Sequence, residues 1–342
     1  MIPNRYRTVV VGAGGISNAW FGPLKKEHAH VEVVGVVDLN LEAARRRIAE
    51  HDLKCEASDN LADCLSRLKP DFVIDLTIPV AHCQVTCTAL EAGCHVIGEK
   101  PMANSLTEGM KMVEAAKRAN RLYMVSQSRR WDGTHEAVRQ CISSNTIGPV
   151  TTLNCDFYLG AHFGGFRDEM ESPLILDMAI HHFDLARFFS GAAPVAVYAH
   201  EFNPRKSWYQ GDVAATCIFE MENGIVFTYR GSWCAEGCHT SWNGDWRIVG
   251  TQGTVLCEKD QAKGQIVVGE TGFHRPLADL ALKPVSIPQN SMHGALLEML
   301  RYLDDGTLPQ THCEDNIYSL SMVFAAIESS RQGKRMVIAD LL

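Results

Sequence analysis

With 342 residues and 46% hydrophobic side chains, the chain is too long for one ordinary core, so two domains are expected. The formal net charge of −8 argues against non-specific nucleic-acid binding, and no apolar run is long enough to cross a bilayer. The short apolar run near the N-terminus leads into glycines and not a cleavage site. We therefore expect a cytoplasmic protein whose 12 cysteines are free thiols.

Residues 1–126 alternate between β-branched runs and helical segments. Buried strands are predicted at TVVV, VEVVGVVD, DFVIDLTIP, HVIGEKP and LYMVSQS. Helix signals stand between them, including Gly93 as a C-terminal cap and Ser105 as an N-cap with Glu108 at capping-box spacing. This alternation predicts βαβ units, and hence a doubly wound parallel sheet of the Rossmann type.

The pattern changes in residues 127–342. Consecutive hairpins are predicted, with the strongest turn signal at Asn223-Gly224. One helix interrupts them, with Ser172 as its N-cap and Gly191 after its end, and two more helices are predicted near the C-terminus. We expect a second, α+β domain with a large, mainly antiparallel, open-faced sheet.

A glycine run follows the first strand at Gly12-Ala13-Gly14-Gly15-Ile16-Ser17. It fits G-x-G-x-x-G/A except for Ser17, and such a turn lets main-chain N–H groups approach a pyrophosphate. Asp38 ends the next strand, where an acid binds the adenosine ribose and repels a 2′-phosphate. NAD is therefore favoured over NADP, although a bare turn and a solvated acid are the alternatives. We expect the arginines at 45–47 to lie too far along the next helix to reverse this preference.

Two predicted strand ends carry residues suited to chemistry, Thr77 with Pro79 and Glu99-Lys100-Pro101. Ligands of doubly wound sheets bind beyond the carboxyl ends of the strands, which places Lys100 near a bound nicotinamide. Pro101 restricts the backbone of Lys100 to extended geometry, so its ammonium group is aimed. There it can hydrogen-bond a substrate hydroxyl, whereas the alternative is a solvated surface charge.

Three polar residues share one face of the predicted helix that follows Ser172. Asp177, His181 and Asp184 stand at i, i+4 and i+7 in an otherwise apolar segment. His181 is suited to taking an alcohol proton near neutral pH, and Asp177 can hold its ring. The alternative is a polar stripe that faces water.

Further candidates for substrate binding flank these segments, and the whole substrate set is Arg130, Trp131, Tyr158, His162, Arg167 and Asp184. Gln127 is predicted to lie near the cofactor. A plain surface loop and simple aromatic packing are the alternatives.

Cys234, Cys238 and His239 have the spacing of half a zinc site, but no second pair at ligand spacing is evident. We therefore predict no metal and interpret these cysteines as small apolar residues, with a zinc protein as the alternative.

Together these residues resemble the Gfo/Idh/MocA family, named for glucose–fructose oxidoreductase, inositol 2-dehydrogenase and a rhizopine-catabolism protein. The resemblance covers nearly the whole chain and includes the glycine run, Pro79 with His82 in TIPVAH, and the Glu-Lys-Pro that ends ALEAGCHVIGEKP. LILDMAIHHFD matches an Asp-x-x-x-His-x-x-Asp pattern, and WRIVGTQGTV matches a turn in the second domain. Ser17 and Ala179 depart from the usual residues, and because both are small we expect altered packing and not lost function.

The resemblance implies a nicotinamide-dependent oxidoreductase that acts on a sugar, polyol or related carbohydrate. Lys100 would orient the substrate hydroxyl, His181 would accept its proton, and Asp177 would complete the site. Homodimers or homotetramers would form through the open face of the second-domain sheet. The expected cofactor contacts are Gly12, Gly14, Gly15, Ile16, Ser17, Asp38, Thr77, Pro79, His82, Glu99, Lys100 and Gln127.

Two other functions fit the same residues. An NAD-dependent glycosidase would oxidise a sugar transiently to cleave a glycosidic bond, and it would release free sugar with no net NADH. A dinucleotide-sensing regulator would bind the cofactor without catalysis, although it need not retain Lys100 and His181.

Overall fold

The computed structural model describes residues 5–342 and divides them into two compact units. The first unit contains residues 5–131 and 288–320, and the second contains residues 132–287 and 321–342. The sequence placed residues 127–131 and 288–320 in the second domain, whereas here both segments pack in the first unit.

The first unit is built on a parallel sheet of six strands. These are β1 (Tyr6–Val11), β2 (Val31–Val37), β3 (Glu56–Ser58), β4 (Phe72–Asp75), β5 (His95–Gly98) and β6 (Tyr123–Val125). Their order is β3-β2-β1-β4-β5-β6, and every neighbouring pair is parallel. This is the doubly wound arrangement, so the Rossmann prediction is confirmed.

Five helices connect these strands. They are α1 (Ser17–Lys26), α2 (Leu41–Glu50), α3 (Leu61–Leu68), α4 (Pro79–Glu91) and α5 (Leu106–Ala119). The predicted cap at Ser105 is confirmed, because its side chain accepts a hydrogen bond from the N–H of Glu108. The sequence did not indicate β3 and α3, since a strand of three residues is too short to show a periodic pattern.

The central strands are fully buried at Val9, Val10, Val73, Ile74, Val96 and Ile97. Burial on both faces explains why these strands read as continuous apolar runs. Asp75 at the end of β4 is paired with Val11 of β1 and with Gly98 of β5. The segments that begin at Gly12 and Glu99 therefore leave the sheet from one edge.

The second unit is built on nine strands. They are β7 (Val150–Tyr158), β8 (Pro194–Phe202), β9 (Ala214–Met221), β10 (Val226–Ser232), β11 (Asp245–Gly250), β12 (Gly253–Glu258), β13 (Gln261–Val267), β14 (Leu277–Ala281) and β15 (Met336–Val337). Their order is β14-β13-β12-β11-β7-β10-β9-β8-β15, with β7 and β10 parallel and the other pairs antiparallel. The predicted large, mainly antiparallel sheet is confirmed.

Two local features of this sheet follow from its sequence. Asn223 (φ 61°) and Gly224 (φ 72°) form the turn between β9 and β10 with left-handed backbone angles, which Asn and Gly tolerate best. Along β8 to β10 buried and exposed side chains alternate, and Tyr198, Ile218 and Val226 are on the exposed face.

The remaining helices are α6 (Gly133–Ser143), α7 (Phe166–Glu169), α8 (Ile180–Ser190), α9 (Ser291–Asp305) and α10 (Cys313–Gln332). The segment α9 belongs to the first unit, and α10 begins in the first unit and ends in the second. Within residues 5–342, no helix combines the length and the apolar character that crossing a membrane requires.

The helix predicted from Ser172 to Gly191 differs from expectation at its start. Leu174–Ala179 form a π-helical segment that continues into α8. The hydroxyl of Ser172 donates to Glu201 Oε2 at 3.2 Å and does not cap the helix, so the N-cap prediction was wrong. Gly191 does end α8 in the left-handed conformation (φ 65°), as predicted.

Candidate active site

Gly12 forms the turn that leaves β1, and only glycine fits there. Its φ is +100°, and an added Cβ would lie 2.7 Å from the main-chain carbonyl carbon and oxygen of Leu76. Nothing lies within 4 Å of the Cβ that would be added at Gly14 or Gly15. The turn is therefore tight on its inner side and open on its outer side.

Asp38 is fixed at the end of β2 by two main-chain groups. Its Oδ2 accepts from the N–H of Ala13 at 2.7 Å, and its Oδ1 accepts from the N–H of Asn40 at 2.8 Å. Ser17 closes the turn, because its buried hydroxyl donates to the carbonyl of Gly14 at 2.7 Å. The small residue in the third position of the motif thus has a structural role of its own.

A cavity of about 680 Å³ opens beside this turn in the first unit, and its walls include Gly12, Gly14, Asp38, Thr77 and Ile78. The glycine at positive φ, the open space at the outer side of the turn and the wall carboxylate are the features that a dinucleotide requires. These residues fit a nicotinamide dinucleotide, with Gly12 to Ser17 at the pyrophosphate and Asp38 at the ribose.

His82 belongs to a buried network below the end of β4 and not to the cavity wall. Its Nδ1 lies 3.0 Å from Asp75 Oδ2, and Thr77 Oγ1 donates to Asp75 Oδ1 at 2.6 Å. Burial favours the neutral imidazole, but the charge and hydrogen bond of Asp75 and the charge of Glu99 outweigh it and raise the pKa of His82. His82 therefore supports the segment that carries Thr77, and Pro79 begins α4 beside it.

Glu99 anchors the segment that carries Lys100. Trp20 Nε1 of α1 donates to Glu99 Oε1 at 2.8 Å, and the N–H of Lys100 donates to Oε2 at 3.3 Å. Burial raises the pKa of Glu99, against the opposing effects of Trp20, Lys100 and His82. The Lys100–Pro101 peptide bond is cis, and the Lys100 side chain is half-buried.

Gln127 follows β6 and is 1% exposed, yet neither of its amide atoms has a hydrogen-bond partner among residues 5–342. Buried amides are usually satisfied, so this side chain is suited to a ligand or a water molecule. Arg130 and Trp131 are also buried. Arg130 donates to the carbonyl of Gln310 at 2.8 Å and pairs with Asp315 at 3.1 Å, which ties the end of the sheet to the start of α10.

In the second unit, Asp177 lies in the π-helical segment and His181 lies in the first turn of α8. Asp177 is 8% exposed, and its Oδ2 accepts from Arg167 Nε at 2.6 Å. Arg167 lies over the rings of Phe163 (5.0 Å) and Phe166 (4.7 Å). Two aromatic rings and one carboxylate thus hold the guanidinium in place.

The two neighbouring histidines have different environments. His181 is half-buried, whereas His182 is fully buried among aromatic rings, with Phe157 at 4.8 Å and Tyr229 at 5.5 Å. Asp184 is buried, and its Oδ1 lies 3.9 Å from Nη1 of Arg187. His181 is therefore the histidine that solvent or a ligand can reach.

The other two predicted substrate residues lie at the surface of the second unit. Tyr158 ends β7, and its main chain bonds to Thr240. His162 is exposed, stacks on Trp208 at 3.7 Å and lies 2.8 Å from Glu236 Oε1.

Cys234, Cys238 and His239 do not form a ligand cluster. His239 Nε2 accepts from the main-chain N–H groups of Gly160 (3.4 Å) and Gly237 (3.3 Å). Across the described part of the chain, no group of three or more His, Cys, Asp or Glu side chains could hold a metal ion.

Sequence reasoning missed several residues that shape this site. Trp20 and Asp75 read as ordinary helix and strand residues, and Arg47 was considered only for its effect on the preference for NAD, not for contact with the glycine turn. In the structure, Arg47 Nη2 donates to the carbonyl of Gly14 at 3.2 Å. A long side chain can reach back along its helix, and the sequence carries no signal of that direction.

Two family models match the chain. One, described as "Oxidoreductase family, NAD-binding Rossmann fold", matches residues 6–127, and the other, "GFO/IDH/MocA C-terminal domain", matches residues 135–256. The chain belongs to the GFO/IDH/MocA oxidoreductase family. The predictions of the family, of NAD as cofactor and of a dehydrogenase are therefore confirmed.

Known proteins match this GFO/IDH/MocA chain over nearly its whole length, both in sequence and in structure. An uncharacterised protein, y4oX of Sinorhizobium fredii, is 27% identical over 98% of this chain and 97% of its own. The D-apiose dehydrogenase of Paraburkholderia graminis is 25% identical over 98% of this chain and 91% of its own. A crystal structure of an oxidoreductase from Agrobacterium radiobacter, in complex with NAD⁺, L-tartaric acid and magnesium, has a TM-score of 0.87 at 21% identity and covers 99% of this chain and 100% of that chain.

Proposed function

We propose that the protein is an NAD(H)-dependent oxidoreductase that oxidises a secondary hydroxyl of a sugar, polyol or related carbohydrate, or reduces the corresponding ketone. One observation carries the proposal. Lys100 follows β5 at the same sheet edge as the glycine turn and Thr77, in a chain whose family binds NAD. The named activity of the D-apiose dehydrogenase supports a carbohydrate as the substrate class.

The first unit supplies the cofactor site in this proposal. The N–H groups of the glycine turn bind the pyrophosphate, and Asp38 accepts hydrogen bonds from the adenosine ribose. A nicotinamide bound there supplies the hydride acceptor or donor. Because the Asp38 carboxylate would repel a 2′-phosphate, NAD is preferred to NADP.

Lys100 orients the substrate. Its ammonium group donates a hydrogen bond to the oxygen of the reacting hydroxyl and stabilises the negative charge that develops there. The buried Glu99, held by Trp20, fixes the backbone from which the Lys100 side chain projects.

His181 accepts the hydroxyl proton, a task that suits an imidazole near neutral pH. Asp177 stands one turn earlier, and in this proposal its carboxylate orients the ring. Arg167 fixes that carboxylate through their 2.6 Å ion pair. We therefore propose that Arg167 positions the carboxylate of Asp177.

A substrate screen tests the proposed activity. The protein is mixed with NAD⁺ or NADP⁺ and with cyclic polyols, aldoses, glycosides and acyclic polyols, and absorbance at 340 nm is followed. We expect NADH to form in a 1:1 ratio with a ketone product for one of these classes. Free sugar without net NADH would instead show a glycosidase, and NAD⁺ binding without turnover on any compound would favour a regulator.

We also propose that copies of the chain associate through the exposed face of the second-unit sheet. That face presents Tyr198, Phe202, Ile218 and Val226 to solvent in one chain. Light scattering should show a dimer or tetramer, and Ile218→Lys should reduce the mass to that of a monomer. An unchanged mass for that variant would move the interface elsewhere.

A further inference from the structure

The guanidinium of Arg47 folds back from α2 onto the glycine turn. Its Nε donates to the carbonyl oxygen of Ala13 at 3.1 Å, and its Nη2 donates to that of Gly14 at 3.2 Å. Its Nη1 donates to Asn18 Oδ1 at 2.8 Å and pairs with Glu50 at 2.6 Å. One side chain thus bonds two consecutive carbonyls of the turn and the start of α1.

Arg47 differs in this respect from the two arginines that precede it. The Arg47 side chain is 12% exposed, whereas those of Arg45 and Arg46 are each 60% exposed. Arg45 pairs with Glu42 and Arg46 with Glu50 on the surface of α2. Arg46 is therefore a matched control, since it shares the helix and the acidic partner but does not bond the turn.

The two peptide groups that flank Ala13 are each held by a side chain. The N–H of Ala13 donates to Asp38, and its carbonyl accepts from Arg47. In a trans peptide the carbonyl and the following N–H point in opposite directions. Holding the carbonyls of Ala13 and Gly14 toward Arg47 therefore turns the N–H groups of Gly14 and Gly15 away from Arg47. These two glycines carry no side chain, and nothing lies within 4 Å of a Cβ added at either of them.

We propose that Arg47 is a positioning residue for the pyrophosphate of the bound dinucleotide, because it fixes two carbonyls and so presents the next two N–H groups to the phosphates. Oriented main-chain N–H groups of this kind form anion sites. Glu50 pairs with the same guanidinium, so the main contribution is orientation and not net charge. NAD and NADP share the pyrophosphate, and both should depend on Arg47 equally.

The test compares ligands that contain or lack the pyrophosphate. Affinities of NAD⁺ and NADP⁺ are measured by calorimetry, and that of adenosine by saturation-transfer NMR, for the full chain and its variants. We expect Arg47→Gln to weaken both dinucleotides about tenfold or more, by a common factor, and to change adenosine affinity less than twofold. Arg47→Lys, which keeps the cation but cannot bridge two carbonyls, should fall between. Arg46→Gln should bind as the wild type does.

Three results would overturn the proposal. Unchanged NAD⁺ affinity would remove the role of Arg47, and an equal loss for adenosine would mean that the whole cavity had distorted. A loss confined to NADP⁺ would mean that Arg47 contacts the 2′-phosphate. Should Arg47→Gln fail to fold, Arg47→Lys carries the same comparison. Because no step uses turnover, these outcomes are independent of the carbohydrate substrate.

Discussion

At the residue scale, the proposed cofactor site contains a carboxylate, that of Asp38, which the main chain holds at both of its oxygens. Both oxygens of Asp38 accept main-chain hydrogen bonds, from Ala13 and Asn40, so the group is rigid as well as charged. A fixed negative charge beside the ribose discriminates against a phosphate more strongly than a mobile one, because it cannot swing away.

Asp38→Ser should therefore shift the cofactor preference toward NADP⁺. We expect the ratio of NAD⁺ to NADP⁺ affinity to fall about tenfold, since removing the carboxylate removes a like-charge repulsion worth about 1.4 kcal/mol. Calorimetric titration with both cofactors measures it. Glu42→Gln, at an exposed acid on α2, is the control, and an unchanged ratio in Asp38→Ser would show that selectivity lies elsewhere.

The contact between Arg167 and Asp177 predicts a particular kinetic signature. If Arg167 positions Asp177, Arg167→Gln should lower kcat about tenfold while leaving the KM of the carbohydrate nearly unchanged, and Arg167→Lys should restore part of the rate. Arg139→Gln is the control, because it breaks an ion pair of the same length, with Glu136 in α6 of the second unit. A raised KM at constant kcat would mean instead that Arg167 binds substrate directly.

At the element scale, the helix that carries Asp177 and His181 begins in a buried, acidic setting. Ser172, just before the π-helical segment, donates to Glu201 of β8, which is 6% exposed. Burial raises the pKa of Glu201 to about 8, with Asp212 and Glu171 adding to the rise and Ser172 and Arg331 opposing it. The folded protein therefore keeps a proton here that the unfolded chain loses above about pH 4.5.

This proton gives stability a definite pH dependence. The raised pKa makes the contribution of Glu201 greatest below about pH 4.5, and that contribution is lost as the pH rises to about 8. In that window the free energy of unfolding falls by up to about 1.4 kcal/mol per pH unit through this site. Urea unfolding at pH 6 and pH 8 should show a smaller difference for Glu201→Gln than for the wild type.

The matched control is Glu220→Gln, on β9 of the same sheet. Glu220 is exposed and pairs with Arg335, which lowers the pKa of its carboxyl through their hydrogen bonds. This variant should retain the wild-type difference between pH 6 and pH 8. A wild-type difference in Glu201→Gln as well would contradict a buried proton at Glu201.

At the scale of the whole molecule, periodic patterns and turn signals made most of the fold predictable. Continuous apolar runs marked the parallel strands, and Asn223-Gly224 marked the hairpin, because each depends on local backbone preference. The sequence did not predict the π-helical segment or the short strand β3, since neither element has a residue composition that distinguishes it from its surroundings. The return of residues 288–320 to the first unit depends on contacts distant in sequence, such as His293 with Glu27 at 2.7 Å.

Motif spacing predicted which residues lie at the candidate site, but not which partners their side chains contact. The glycine turn and Asp38 lie together, as their spacing indicated. The motif around His82 did not reveal that this side chain is buried against Asp75, and Arg130 is paired within its own unit. Such partners depend on side-chain direction, which no spacing records.

The roles of Lys100 and His181 are tested most directly by turnover and cofactor affinity measured on the same variants. For Lys100→Ala and His181→Ala we predict NAD⁺ affinity within about threefold of the wild type and kcat lower by 10²-fold or more, as expected for a lost oxyanion donor and a lost general base. Lys111→Ala and His274→Gln, both at exposed positions, should retain full activity. Near-normal kcat in either Lys100→Ala or His181→Ala would contradict the assignment.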